Sequence, residues 1–260
     1  MTLVLAVYNS KTNATLFSTV FTFAKPKLGT NPKSFVVGNV VSSLVANPSK
    51  SYNPKTCGGA NYLGLGDDWQ VQLPYSSNNN PGITTISSPS FESFASPYFY
   101  VNTTRKAIQF YTANTGVTTP GSNSPRTELR QMNSTANGIV PAVWSSSGTN
   151  KMTVKIQVDF VPATKFVIFA QIVSISGGAY FTYRVANNIK SNRLSISISV
   201  SNNVVKSSYT NIASGTKSGT FSFKLPAYSD LAFKLGSYCG ITISDKASYY
   251  CQVSVFSVSV

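Results

Sequence analysis

The sequence contains no histidine, and only 7 of its 260 residues are aspartate or glutamate. Without an imidazole, every catalytic or metal-binding scheme that depends on histidine is excluded. The few acidic residues stand against 21 lysines and arginines, which gives a formal net charge of +14. A field of this sign concentrates polyanions near a protein and speeds their encounter. We therefore expect an acidic partner.

Charged residues are scarce as a whole, at 11% of the chain against 42% hydrophobic residues, which excludes a disordered polyelectrolyte. The basic residues are scattered, and the sequence has no zinc-finger spacing, basic helix or RNA-binding aromatic signature, so nucleic acid is not the expected partner. No apolar run reaches the roughly 18 residues that a membrane helix requires. A membrane partner is therefore not expected either.

No Gly/Ser/Pro-rich or charged linker divides the chain, so we expect a single domain over residues 1–260, acting as a monomer. Residues 1–7 lack the basic region and long apolar run of a signal peptide. The chain is then either cytosolic or separated from its signal. Because its Ser/Thr/Asn-rich composition is typical of secreted β-proteins, we expect a secreted, extracellular protein whose signal has been removed.

Hydrophobic residues recur with the period of β-strands almost throughout. Residues 152–160 and 194–200 alternate strictly between apolar and polar side chains, which indicates half-buried strands. Further strands are predicted at 107–111, 166–175, 180–186, 220–225, 231–243 and 249–260. Many antiparallel strands with an apolar face need a second sheet to cover them. We therefore predict an all-β sandwich, a jelly roll of two antiparallel sheets with a groove on the concave sheet, and long loops over residues 33–100.

Three short segments carry the polar pattern of a site: Arg126-Thr127-Glu128-Leu129-Arg130, Gln171-Ile172-Val173 and Phe233-Lys234-Leu235-Gly236-Ser237-Tyr238. Side chains of a strand alternate between its two faces. Alternate residues of each segment therefore lie on one face. These residues are Arg126, Glu128 and Arg130 in the first segment, Gln171 and Val173 in the second, and Lys234, Gly236 and Tyr238 in the third. Three polar stripes of this kind predict one shared groove.

In order and spacing these segments resemble the signatures of polysaccharide lyase family 7, the alginate lyases, which are R-S-E-L-R, Q-I-H or Q-V-H, and Y-F-K-A-G-x-Y-x-Q. The first differs only in Thr127 for serine, and the third has Ala232, Leu235 and Gly240 at its other places. The second departs most, with Val173 where the family has histidine. The resemblance implies a β-jelly roll and a lyase acting on an acidic polysaccharide, alginate.

Such a lyase cleaves a uronate polymer without water, by removing the proton on C5 and expelling the oxygen on C4. The C5 proton becomes removable when fixed donors neutralise the neighbouring carboxylate. Arg126, with its forked donors, and the Gln171 amide suit this task, and the resemblance implies the same pair. Tyr238 is then predicted to be the base and the acid. A phenol serves as a base only if a cation favours its ionised form, and Lys234 is the first candidate for that cation, with Arg130 the second.

The missing histidine also bears on the substrate. In mannuronate the C5 proton and the C4 oxygen lie on the same side of the ring, so one tyrosine can serve both, whereas in guluronate they lie on opposite sides. With Val173 in place of histidine, we expect cleavage of mannuronate-containing alginate, giving 4,5-unsaturated uronate ends. Glucuronan shares the mannuronate arrangement at C4 and C5, so it is an alternative substrate.

Each candidate also has an ordinary explanation. Arg126, Glu128 and Arg130 could form a cross-strand ion-pair ladder in which Glu128 aligns the two arginines, and a tyrosine in a strand is commonly a packing residue. A non-catalytic jelly roll that binds acidic glycans would share the fold and charge, and a capsid-like jelly roll would share the fold. Of these three classes of protein, only a lyase requires a lysine and a tyrosine beside residues that bind a carboxylate. On polarity alone, Lys155, Tyr183 and Arg184 are candidates for outlying subsites.

The sequence has three cysteines. Cys239 and Cys251 lie symmetrically about Asp245, so a hairpin turning at residues 245–248 would place them at disulfide distance. Cys57 would then stay unpaired or compete as a partner, and the alternative is three reduced cysteines. Asp67-Asp68 has no further oxygen ligands nearby in sequence and is typical of a solvated turn, so neither a metal nor a cofactor is expected.

Overall fold

A computed structural model describes residues 2–8, 15–22, 61–76, 82–176, 178–186, 191–246 and 248–260. Strands dominate these ranges, with one helical turn, α1 (Ser90–Ser93), and one 3-10 turn (Asn61–Leu63). The strands are β1 (Thr2–Tyr8), β2 (Thr15–Thr22), β3 (Trp69–Leu73), β4 (Thr84–Ile86), β5 (Phe99–Asn102), β6 (Ala107–Ala113), β7 (Arg126–Thr135), β8 (Gly138–Pro141), β9 (Thr149–Phe160), β10 (Phe166–Ser174), β11 (Gly178–Ala186), β12 (Leu194–Ser201), β13 (Val204–Asn211), β14 (Phe221–Lys224), β15 (Leu231–Cys239) and β16 (Tyr250–Ser259). In the described part of the chain, no helix has the length and apolarity needed to cross a membrane.

The strands form two antiparallel sheets. In the first, the order is β2-β1-β11-β10-β15-β7-β3-β4, with β8 also paired to β7, and in the second it is β14-β13-β12-β9-β16-β6-β5. Apolar side chains from alternate positions of both sheets meet between them, among them Leu129, Ile172 and Leu235 of the first sheet and Ile156 and Val253 of the second. The predicted all-β jelly-roll sandwich of two antiparallel sheets is confirmed.

The prediction of loops over residues 33–100 was wrong for part of that range, since β3, β4 and the first two residues of β5 lie within it. Two of these strands are three or four residues long, too short for alternation to be recognised. In β3, all five residues are buried, because Gln70 and Gln72 face a polar cluster while Trp69, Val71 and Leu73 join the core. Residues 33–60 lie outside the described residues.

A disulfide joins Cys239 and Cys251, whose Cα atoms are 5.7 Å apart. The two cysteines do not lie on one hairpin around Asp245: Cys239 ends β15 in the first sheet, and Cys251 lies on β16 in the second. The chain crosses from one sheet to the other between the two cysteines. The disulfide therefore spans the core instead of bridging neighbouring strands. Cys57 lies outside the described residues.

Candidate active site

The three polar segments lie on adjacent strands of the first sheet, in the order β10, β15, β7. Lys234 on the middle strand is paired with Gln171 on one side and Arg130 on the other. Tyr238 is paired with Arg126 in the same way. Since the residues between them, such as Leu235, face the core, these five side chains share the outer face of the sheet, away from the second sheet.

Glu128 lies at the centre of this cluster and is 1% exposed. Its Oε2 accepts a hydrogen bond from Lys234 Nζ at 3.1 Å and lies 3.5 Å from an Arg126 guanidinium nitrogen. Its Oε1 accepts a hydrogen bond from the Gln171 amide. Lys234 Nζ also donates to Gln72 Oε1 on β3 at 3.0 Å. One carboxylate therefore fixes the catalytic candidates Arg126 and Gln171 relative to each other.

Glu128 was predicted to align Arg126 and Arg130, and the structure agrees for Arg126. Within the described ranges its ion pairs are with Arg126 and Lys234, so Lys234 takes the place expected for Arg130. Burial lowers the pKa of the Lys234 ammonium, and the Glu128 carboxylate opposes that shift. Burial lowers the pKa of Arg130 as well, again against the effect of Glu128.

The cation beside Tyr238 is Arg126, whose guanidinium carbon lies 4.3 Å from the centroid of the phenol ring. The expected cation, Lys234, points its ammonium to Glu128 and Gln72 instead. Four residues along one strand span about 13 Å, whereas directly paired residues on neighbouring strands are in contact. The register therefore makes Arg126 the partner of Tyr238.

Val173 occupies a small apolar cluster on the outer face, separate from the main core. It is paired with Ala179 on β11 and with Ala232 on β15, and Ala142 completes the cluster. Val173 is 7% exposed. The place where the resembled signature has an imidazole is thus filled by close-packed alkyl groups.

Of the three residues suggested for outlying subsites, two lie elsewhere. Tyr183 is buried in the core, where its hydroxyl bonds to Ser207 Oγ at 2.6 Å. Lys155 is on β9 in the second sheet. Arg184 remains on the outer face of the first sheet, because it is paired with Ile168, which is paired in turn with Tyr238.

Three contributors to the site were not identified from the sequence. Gln72 binds the Lys234 ammonium, and Gln70 is paired with Arg130. Ser122 Oγ lies 3.2 Å from the Tyr238 hydroxyl and donates to the Ser124 carbonyl at 3.0 Å. The alternation of Gln70 and Gln72 with apolar residues was a usable signal for β3. Ser122 lies in the turn-rich segment 120–125 immediately before β7, which is a weaker signal.

The cluster combines three cations, Arg126, Arg130 and Lys234, with the single carboxylate of Glu128. In the described structure, the buried Nε atoms of Arg126 and Arg130 have no hydrogen-bond partner. A buried donor without a partner is costly, and an anionic ligand would satisfy it. The outer face can therefore hold a carboxylate group next to the Tyr238 hydroxyl.

Comparison with known proteins gives one family. The sequence profile of the family described as alginate lyase matches residues 63–179, a range that includes the first two polar segments. No curated protein matches the chain.

Several solved structures share the fold. The alginate lyase from Corynebacterium sp. is 28% identical, with a TM-score of 0.65, over 78% of this chain and 97% of that chain. Alginate lyase AlgAT5 from polysaccharide lyase family 7 is 24% identical, with a TM-score of 0.66, over 77% of this chain and 96% of that chain. A variant of the family 7 alginate lyase A1-II' in complex with substrate (GGMG) is 22% identical, with a TM-score of 0.58, over 78% and 95%.

The profile match reaches from β3 into β11, and the shared fold extends over most of the chain. The third polar segment lies beyond the profile match, yet it is paired between the other two in the sheet. On these grounds the chain is a polysaccharide lyase that shares a sequence profile and its fold with the alginate lyases.

Proposed function

We propose that this lyase cleaves mannuronate-containing alginate by β-elimination, with Tyr238 as both base and acid. The ionised Tyr238 oxygen takes the proton from C5, and the electron pair of that bond forms the C4–C5 double bond. The bond between C4 and its oxygen breaks, and the leaving oxygen takes the proton back from Tyr238. The products are a new chain end and a 4,5-unsaturated uronate.

One observation supports this proposal above the others. Arg126 is stacked on the Tyr238 ring in a chain that has no histidine at any position. A guanidinium in this position can neutralise a carboxylate bound beside the phenol oxygen. The phenol and the donor for the carboxylate then lie on one side of the sugar, which suits same-side elimination.

The substrate preference is the first test. Initial rates on purified polymannuronate, polyguluronate and glucuronan are measured from the ultraviolet absorbance of the new conjugated double bond. We expect polymannuronate to be cleaved well and polyguluronate at least about 10²-fold more slowly, the scale of losing one acid–base group. Faster cleavage of polyguluronate than of the other two polymers would refute the same-side mechanism.

Glucuronan is a second candidate substrate, and the apolar cluster around Val173 favours it. Glucuronate differs from mannuronate only in the orientation of the C2 hydroxyl. Alkyl groups at Val173, Ala179 and Ala232 impose no hydrogen-bond direction on that hydroxyl.

If no polymer gives unsaturated products while acidic glycans still bind, the protein is a binding module instead.

Arg126→Lys tests the carboxylate clamp. The substitution keeps the positive charge but removes the planar fork of donors. We expect kcat to fall by about 10²-fold, the scale of removing a transition-state donor, because the carboxylate is held more tightly as charge develops. Steady-state kinetics on polymannuronate measure this, and a raised KM with unchanged kcat would instead make Arg126 a peripheral substrate contact.

We also propose that the enzyme acts outside the cell, where such polymers occur. The Cys239–Cys251 disulfide supports this, since disulfides persist in oxidising compartments.

A further inference from the structure

Arg184 lies in the same row across the sheet as the proposed catalytic pair. The row runs from Arg184 on β11 through Ile168 on β10 and Tyr238 on β15 to Arg126 on β7. Neighbouring strands are about 4.8 Å apart, so the Cα atom of Arg184 lies about 10 Å from that of Tyr238 and about 14 Å from that of Arg126. A single sugar ring does not reach that far. A polysaccharide crossing the strands would bring a different sugar to Arg184.

The guanidinium of Arg184 is held over an aromatic ring. Its central carbon lies 3.9 Å from the centroid of the Phe166 ring. That ring in turn covers Gly240, where a side chain would collide with it, and Gly240 N donates to the Phe166 carbonyl at 2.8 Å. The resembled signature has glutamine at this place, so the glycine of this chain makes room for the ring that supports Arg184.

Arg184 also has donor capacity left over. Its Nε is buried and has no hydrogen-bond partner among the described residues. The face of a ring attracts the cation but accepts none of its in-plane hydrogen bonds. An arginine fixed in this way presents a planar fork that matches a carboxylate.

We infer that Arg184 binds the carboxylate of a uronate in a subsite beyond the one at which the bond is cleaved, and that Phe166 positions its guanidinium. This inference rests on the proposed function, because it needs an acidic polysaccharide extended across the outer face. Its contacts are remote from the reacting atoms, so they stabilise the ground state and the transition state equally. Loss of Arg184 then raises KM and leaves kcat unchanged.

Arg184→Gln is compared with the wild type on polymannuronate and on mannuronate oligomers of increasing length. We expect KM on the polymer to rise about tenfold, the scale of a lost charge-assisted hydrogen bond, with kcat within twofold of the wild type. As the oligomers are lengthened, the KM of the wild type should fall at the first oligomer long enough to reach Arg184. The KM of the variant should not fall at that length, and on shorter oligomers it should equal the KM of the wild type. Phe166→Leu, which keeps Arg184, should raise the polymer KM by about threefold.

Arg193→Gln is the matched control. Arg193 lies over Phe256 at 3.6 Å in the same kind of contact, but Phe256 is on β16 in the second sheet. The control removes the same charge and should leave both KM and the length dependence unchanged. If Arg184→Gln behaves as Arg193→Gln does in an active enzyme, the subsite is refuted, and an unchanged KM in Phe166→Leu refutes the positioning role. A wild type that yields no unsaturated product would refute the proposed function itself.

Discussion

Replacing Tyr238 with phenylalanine should lower kcat by about 10² to 10⁴-fold, the usual scale for losing general acid–base catalysis. The substitution removes only a hydroxyl, whose contact in the described structure is Ser122 Oγ at 3.2 Å. Ser122 keeps its other hydrogen bond, to the Ser124 carbonyl. The ring can still pack under Arg126. The fold should therefore survive while both proton transfers lose their carrier.

The measurement is turnover of polymannuronate at saturating substrate, with the thermal midpoint as a check on folding. Tyr111→Phe is a suitable control, since Tyr111 lies on β6 in the second sheet, in contact with the Tyr250 ring at 5.0 Å. It should retain full turnover. Near-normal turnover of Tyr238→Phe would show that another group takes the C5 proton.

Glu128→Gln should destabilise the protein by about 3–5 kcal/mol, the scale of breaking a buried ion pair by removing one partner. An amide of the same shape accepts hydrogen bonds through one oxygen, whereas Glu128 accepts them from Lys234 and Gln171 through two and is also ion-paired with Arg126. The amide NH₂ of the variant would then face the donor of either Lys234 or Gln171. The buried cations Arg126 and Lys234 would also lose their counter-ion. Urea denaturation at neutral pH measures the loss.

The pH dependence distinguishes this cause from poor packing. Burial lowers the pKa of Lys234, and the variant lacks the carboxylate that opposes the shift. Between the folded pKa and the ordinary lysine value of about 10.4, the unfolded chain binds more protons than the folded one, so stability rises with pH. The deficit of Glu128→Gln should therefore shrink as pH is raised toward 10. Adding Lys234→Met should abolish that recovery, and a deficit independent of pH in the single variant would contradict the electrostatic explanation.

The faces of the strands could be predicted because alternation is local. Arg126, Glu128 and Arg130 had to share a face once their segment was a strand, and the same holds for Lys234 and Tyr238. The partner of each residue could not be predicted, because register depends on how strands distant in sequence are paired. Spacing along one strand therefore predicts Lys234 as the cation beside Tyr238, whereas pairing across strands brings Arg126 there.

Contacts between distant segments account for the other differences. Gln72 and Lys234 are 162 residues apart in sequence, and Ser122 and Tyr238 are 116 apart, so no local pattern connects them. The cysteines show the same limit. Their pairing agrees with the structure, but they lie on strands of two different sheets and not on the hairpin that suggested the pairing.

The position of that disulfide has a consequence for how the enzyme can be inactivated. Both cysteines are fully enclosed, and Cys239 directly follows Tyr238 on its strand. A thiol reagent cannot reach the sulfur atoms until the two sheets separate. The rate at which such a reagent breaks the bond therefore reports how often the sandwich opens, and the first molecules to be reduced are those in which the strand bearing Tyr238 has already left its place.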